Sequence, residues 1–150
     1  MNILIIEDDP IKMNSIKEYL KSYSDEISID IQYSYQSGLL AILKNAYDLI
    51  LLDMQLPNFD IKSGEDGYKL RPLAGRDILR EIKRKKLKAK IIVITQFDTF
   101  GEDGNFSSLN DWHNYFSKEF DGIYLFTVFY NPSSDSWKNK LKKVLPIQRQ

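Results

Sequence analysis

The chain has 150 residues, 43% hydrophobic and 28% charged, with 21 basic and 21 acidic side chains. That is the composition of an ordinary globular domain long enough to bury a core, and the zero net charge argues against a dedicated nucleic-acid binder. With no cysteine and His113 as the only histidine, disulfides, thiolate zinc sites, cysteine nucleophiles and multi-histidine metal sites are excluded.

Met1 to Ile6 lacks the basic start and long apolar run of a signal peptide, and no apolar stretch approaches membrane-spanning length, so the expected compartment is the cytosol. Ile3 to Ile6 is a short apolar run that ends in Glu7-Asp8-Asp9-Pro10. Such a run suits a strand buried on both faces. Pro10 to about Tyr23 reads as a helix with Pro at its first turn and an apolar stripe of Ile11, Ile16, Tyr19, Leu20 and Tyr23. Ile27, Ile29, Ile31 and Tyr33 alternate with polar residues, which is strand periodicity. Ser37 to Asn45 follows as a short helix, and Asp48 to Asp53 as a second buried strand ending in an acid.

Met54 to Leu73 has no periodicity and holds Pro57, Gly64, Gly67 and Pro72, so a long loop is expected there. A helix from Ala74 to about Lys86 carries Ile78, Leu79 and Ile82 on one face. Ile91 to Ile94 is a third buried strand ending at Thr95, and Gln96 to Asn105 reads as another loop. Ser107 or Ser108 would cap a helix running to about Lys118, Gly122 to Phe129 is a strand, and Ser133 to Leu145 a final amphipathic helix. Five successive βα units with no linker imply one domain over residues 1–150, with a parallel sheet covered by helices on both faces. The flavodoxin-like doubly wound order 2-1-3-4-5 makes strands one and three neighbours at the switch point, where sites form beyond the carboxyl ends of strands.

That topology brings Glu7, Asp8 and Asp9 toward Asp53. Carboxylates so close cannot all stay ionised without a counter-charge, and a hard cation such as Mg²⁺ resolves the repulsion. A carboxylate beside Mg²⁺ can act as a nucleophile toward a phosphoryl group. Asp9, before Pro10, would by itself serve as a helix cap. Hydroxyl-bearing Thr95 at the end of the fourth strand completes the set of polar strand ends.

Ile3-Leu-Ile-Ile-Glu-Asp-Asp-Pro10, Tyr47-Asp-Leu-Ile-Leu-Leu-Asp53-Met-Gln-Leu-Pro57 and Ile91-Ile-Val-Ile-Thr95 resemble, in order and spacing, the motifs of response-regulator receiver domains of two-component systems. The resemblance covers the chain from end to end. It implies that Asp53 is the phospho-acceptor and that Glu7 and Asp8 are the acidic pair, with Asp8 the direct metal ligand. Gln55 would complete the Mg²⁺ shell through its backbone carbonyl. Thr95 would be the switch hydroxyl that moves to the phosphoryl oxygen. It also implies a histidine kinase or phosphotransfer protein as donor and an effector protein as output. No enzymatic activity is expected beyond Mg²⁺-dependent self-phosphorylation and dephosphorylation at Asp53.

Three features depart from the family pattern. The family places a lysine just after strand five, but here the segment reads Phe126-Thr-Val-Phe-Tyr130-Asn-Pro132, with Tyr130 near the lysine position and no lysine between Lys118 and Lys138. Tyrosine donates a hydrogen bond but supplies no positive charge. Lys118, Lys62 and Lys69 are the candidate replacements. The loop after Asp53 is longer than the family's turn and would serve as a lid, a partner surface or a tolerated insertion. Twelve of the 19 aromatics lie between Phe97 and Trp137, more than a small core needs, so an exposed remainder would suit a partner or a homodimer through the helix 4–strand 5–helix 5 face.

The basic run Lys83-Arg84-Lys85-Lys86 reads as a solvated helix end that meets the helix dipole, and His113 as a helix-side histidine. The missing lysine leaves two readings open, a phosphorylated receiver and a pseudo-receiver acting as a constitutive interaction module. A flavodoxin-like cofactor binder is disfavoured because the acidic switch point repels phosphate and no phosphate loop follows strand one.

Overall fold

The computed structural model describes residues 1–61 and 69–146. In chain order the elements are β1 (Asn2–Ile6), α1 (Pro10–Tyr23), β2 (Ser28–Gln32), α2 (Tyr35–Lys44), β3 (Leu49–Leu52), β4 (Leu56–Pro57), β5 (Leu70–Arg71), α3 (Ala74–Arg84), β6 (Ile91–Thr95), β7 (Thr99–Glu102), β8 (Asn105–Ser108), α4 (Leu109–Glu119), β9 (Tyr124–Phe129) and α5 (Ser136–Leu141), the last continued by a single 3-10 turn over Lys142–Val144. The main sheet runs β2-β1-β3-β6-β9, and its strand pairs are all parallel. This is the 2-1-3-4-5 order expected for the five principal strands.

The apolar runs of β1, β3 and β6 explain why these strands are central. Ile3 to Ile6, Leu49 to Leu52 and Ile91 to Ile94 are each at most 2% exposed. Successive side chains point to opposite faces of a sheet. Leu4, Ile6, Ile50, Leu52, Ile91 and Val93 therefore join α2, α3 and α4 residues in one core, while Ile3, Ile5, Leu49, Leu51, Ile92 and Ile94 join α1 and α5 residues in the other. Ser34 caps α2 in a reciprocal capping box with Ser37, and Ser108 caps α4 through its bond from the Asp111 N–H.

Three local expectations change. Ile11, placed on the inward stripe of α1, is 77% exposed, and Lys12, Met13, Ile16 and Leu20 are the buried residues of that helix. Residues 12, 16 and 20 stack at i, i+4 and i+8, so the stripe that holds Ile16 and Leu20 also holds Lys12.

The expected loop after Thr95 contains a β-hairpin, β7 paired antiparallel with β8. Its turn residues Asp103 (φ 53°) and Gly104 (φ 79°) both lie in the left-handed region, the conformation an Asp-Gly hairpin turn requires. The loop after Asp53 is pinned where β4 pairs with β5, and Arg71 there bonds Asp77 at 2.9 Å and lies 3.8 Å above the Tyr35 ring. The lid or partner role of this loop turns on residues 62–68, which lie outside the described residues.

The aromatic-rich third divides as expected. Phe100, Phe116, Phe120, Tyr124, Tyr130 and Trp137 are buried, whereas Phe97, Phe106, Tyr115 and Phe129 are between 39% and 61% exposed. His113 sits on the side of α4, bonded through Nδ1 to the Tyr124 hydroxyl at 2.9 Å. At the end of α3, Lys83 bonds the Glu119 carbonyl and carboxylate and Arg84 bonds Glu81, so the basic run is a helix end engaged in surface pairs.

Candidate phospho-acceptor site

The site forms where β1 and β3 end side by side. The Asp53 N–H donates to the Ile6 carbonyl (3.1 Å) and the Glu7 N–H to the Gln32 carbonyl (3.0 Å), so both acids are placed by the sheet ladder itself. One carboxylate oxygen each from Glu7, Asp8 and Asp53 lie within 4.8 Å of one another. Glu7 and Asp53 are buried, and Asp8 is half-buried at the mouth. Asp53 Oδ1 accepts the Met54 N–H at 2.8 Å, which fixes the carboxylate against the backbone. Asp9 does serve as the α1 cap, its Oδ1 accepting from the Ile11 N–H at 2.9 Å.

The start of α3 closes one side. The Gly75 N–H donates to the Met54 carbonyl (3.0 Å), and a Cβ at Gly75 would stand 3.0 Å from the Asp53 carbonyl oxygen and 3.1 Å from Met54 Cα. Glycine is what allows the helix to approach the loop after β3 this closely.

The pocket contains a cation. Lys12 reaches in from α1 with its side chain 1% exposed and its Nζ 2.9 Å from Glu7 Oε2, 2.8 Å from the Ile94 carbonyl and 3.5 Å from Asp53 Oδ1. The expected replacements do not supply it: Lys118 and Lys69 are exposed, and Lys62 lies outside the described residues. Residue type at helical spacing carried the signal for Lys12, since position 12 lies one turn before Ile16 on the inward face. A lysine there is easily read as solvated, because lysine is seldom buried unless paired.

Burial, the largest effect on Glu7, pushes its carboxyl up to about 9. The Asp53 charge adds to this, and Lys12 offsets part of it. Burial and the Asp53 charge likewise raise Asp8. For Lys12, burial favours the neutral amine, but the charges of Asp53 and Glu7 together outweigh it and the net shift is upward. The Glu7 proton and the Lys12 ammonium are therefore both held tightly in this cluster. Hard carboxylate oxygens converging from two strands, one of them at the mouth, fit a Mg²⁺ ion.

The remaining expected residues surround this centre. Gln55 is half-buried two residues beyond Asp53. Thr95, fully buried at the end of β6, has its hydroxyl engaged by the Phe97 N–H at 3.1 Å. Tyr130 directly follows β9, its N–H donating to the Thr95 carbonyl at 2.7 Å, and its buried ring packs 5.2 Å from Trp137. Tyr130 thus stands beside the end of β6, with its ring held in the layer of α1 and α5.

A parallel sheet in 2-1-3-4-5 order with an acid cluster at its switch point defines the receiver class. The sequence pattern of the response regulator receiver domain matches residues 3–128, and the chain belongs to that family, whose members act in two-component signalling. The chain is 27% identical over 146 residues to the Detocs response regulatory protein DtcB of Enterobacter cloacae, covering 95% of this chain and 97% of that protein. It is 29% identical over 143 residues to the uncharacterized protein y4jR of Sinorhizobium fredii, covering 95% of each. Response regulator ArlR of Staphylococcus haemolyticus is 33% identical over 99 residues, 66% of this chain but 38% of that longer protein. Among solved structures, the response regulator TrrA of Thermotoga maritima, in complex with Mg²⁺ and BeF, superposes with a TM-score of 0.61 at 25% identity, covering 96% of this chain and 98% of that one.

Proposed function

We propose that the chain is a phosphorylatable receiver in which Asp53 accepts a phosphoryl group from a histidine kinase or phosphotransfer protein, and which passes the signal to an effector protein. The observation that carries the reading is the convergence of Glu7, Asp8 and Asp53 within 4.8 Å around a buried ammonium. Glu7, Asp8 and Asp53, with the Gln55 backbone carbonyl, would hold Mg²⁺. When bound, the ion neutralises charge on the phosphoryl oxygens.

The steps that belong to the protein follow from its own residues. An Asp53 carboxylate oxygen forms the new O–P bond as the bond from phosphorus to the donor's leaving atom breaks, and the leaving group departs with the electron pair. Met54 fixes the carboxylate through its N–H, and the burial of Asp53 to 7% exposure limits water. The Thr95 hydroxyl gives up the bond it donates to the Phe97 carbonyl at 3.5 Å and donates to a phosphoryl oxygen instead, which frees the segment leading into β7. Phosphoryl transfer within this site is the only chemistry assigned, and no other enzymatic activity is proposed. Output goes through the α4–β9–α5 face, where a groove of about 480 Å³ is lined in part by Leu109, Phe126, Phe129 and Lys140.

The second reading is a pseudo-receiver that works through constitutive contacts, and the placement of Tyr130 after β9, where the family pattern has lysine, favours it. Titration of beryllofluoride in saturating Mg²⁺, followed by tryptophan fluorescence, separates the two. The phosphorylatable receiver gives a saturable response that Asp53→Asn abolishes. Absence of a response in the parent overturns the first reading in favour of the second.

A further inference from the structure

The ion pairs of Glu7 and Asp53 among the described residues are both made with Lys12. Burying an ammonium is costly unless it is paired and fully hydrogen-bonded, so a lysine at 1% exposure needs a reason to be there. Two of its donors are taken by a Glu7 carboxyl oxygen and the Ile94 carbonyl, and an Asp53 oxygen 3.5 Å away supplies an opposing charge. Glu7 and Asp53 directly follow β1 and β3 and Ile94 lies near the end of β6, the three strands whose ends surround the acceptor. The side chain that follows β9 is instead a tyrosine packed on Trp137.

We propose that Lys12, delivered by α1, is the cation of phosphoryl acceptance in this chain: it balances Asp53 at rest while hydrogen-bonded to Glu7, and takes a phosphoryl oxygen once Asp53 carries the group. The inference rests on the reading of Asp53 as the acceptor. Lys12 keeps its protons throughout and exchanges one acceptor for another. The Asp53 oxygen it now faces at 3.5 Å becomes part of the acyl phosphate, and an oxygen of the new dianion is the stronger acceptor.

The same movement has a second consequence. Lys12 donates to the carbonyl of Ile94, the residue before Thr95. Drawing the ammonium toward the phosphoryl group loosens the end of β6 at the place where the Thr95 hydroxyl must turn. Cation and switch hydroxyl are therefore linked through one peptide unit.

The test uses the full chain and its variants Lys12→Gln and Lys12→Arg, with beryllofluoride as the phosphoryl probe and Mg²⁺ alone as the metal probe. Removing a positive charge beside the acids strengthens Mg²⁺ binding, whereas losing a charged hydrogen bond to the phosphoryl mimic weakens beryllofluoride binding on the order of tenfold to a hundredfold. Opposite movement of the two affinities in Lys12→Gln, with partial recovery of the second in Lys12→Arg, is the expected result. A merely structural role moves both affinities the same way, and either that outcome or an unchanged beryllofluoride affinity overturns the proposal.

Should Lys12→Gln fail to fold by circular dichroism, the parent labelled with ¹⁵N-lysine supplies the answer. The exchange-protected ammonium resonance shifts on adding beryllofluoride if the proposal holds and stays in place if it is wrong. Failure of the parent to bind beryllofluoride at all is a different result, and it removes the acceptor reading itself.

Discussion

Replacing Asp53 by Asn in the metal-free protein tests the electrostatics of the pocket, because its effect on stability depends on pH. The substitution removes an attraction to Lys12, whose Nζ is 3.5 Å away, worth about 4.7 kcal/mol at an effective dielectric of about 20. It also removes repulsions with Glu7 and Asp8, each at least about 3.5 kcal/mol under the same dielectric because the oxygens lie no farther apart than 4.8 Å. Burial and the Asp53 charge raise Glu7 to about 9. While Glu7 holds its proton, one repulsion is set against the attraction and the two nearly cancel, so Asp53→Asn changes stability little. Once Glu7 is ionised, two repulsions are relieved, and the substitution stabilises by about 2 kcal/mol or more. All three energies scale together with the dielectric, so the gain of the variant over the parent with rising pH does not depend on its value. Urea unfolding with a chelator at a series of pH values measures the difference between parent and variant. A difference that stays constant from acid to alkaline pH would refute the charge arrangement described.

Other consequences follow from the same geometry. In metal-free parent protein, Glu7 ionises near 4.5 when unfolded and near 9 when folded, so the folded state holds the proton more tightly and stability falls as pH rises across that window; a flat profile in the presence of chelator contradicts it. Mg²⁺ bound in this site would displace the Glu7 proton, so its apparent affinity is expected to climb with pH through the neutral range, and calorimetry in buffers of different ionisation enthalpy detects proton release. Gly75→Ala forces a Cβ to 3.0 Å from the Asp53 carbonyl; overpacking costs about 1–3 kcal/mol against a helix-propensity gain of at most about 1 kcal/mol, so chemical denaturation shows a net loss. Ile78→Ala empties a fully buried position between α3 and the sheet and lowers unfolding free energy by about 2–5 kcal/mol, without changing the order of metal affinities among the variants.

Much of this architecture is legible in the sequence because its strongest signals are local. Three apolar runs of strand length, each ending in a polar residue, mark β1, β3 and β6 and with them Glu7, Asp8, Asp53 and Thr95. The hairpin of β7 and β8 escapes a reading by apolar periodicity, since it buries one large apolar side chain, Phe100, while Phe106 points outward, and its turn is set by Asp103-Gly104. That Asp-Gly pair was the available signal. Lys12 escapes for a different reason. Its burial follows from helical phase, which the exposed Ile11 disguises, and its partners are 5, 41 and 82 positions away along the chain. Only closing the sheet brings β1, β3 and β6 to one ammonium. The cation expected after β9 is therefore supplied to the pocket by another element, and the sequence motif around Tyr130 reports only its absence from the usual segment.

The central claim is that Asp53 carries the phosphoryl group. The most direct measurement is peptide mapping by mass spectrometry after incubation with Mg²⁺ and a small-molecule phosphodonor such as acetyl phosphate. The account predicts one hydroxylamine-labile phosphoryl group on the peptide containing Asp53, absent without Mg²⁺ and absent in Asp53→Asn. A phosphoryl group on another residue, or none under conditions in which the protein is folded and metal-loaded, would contradict it.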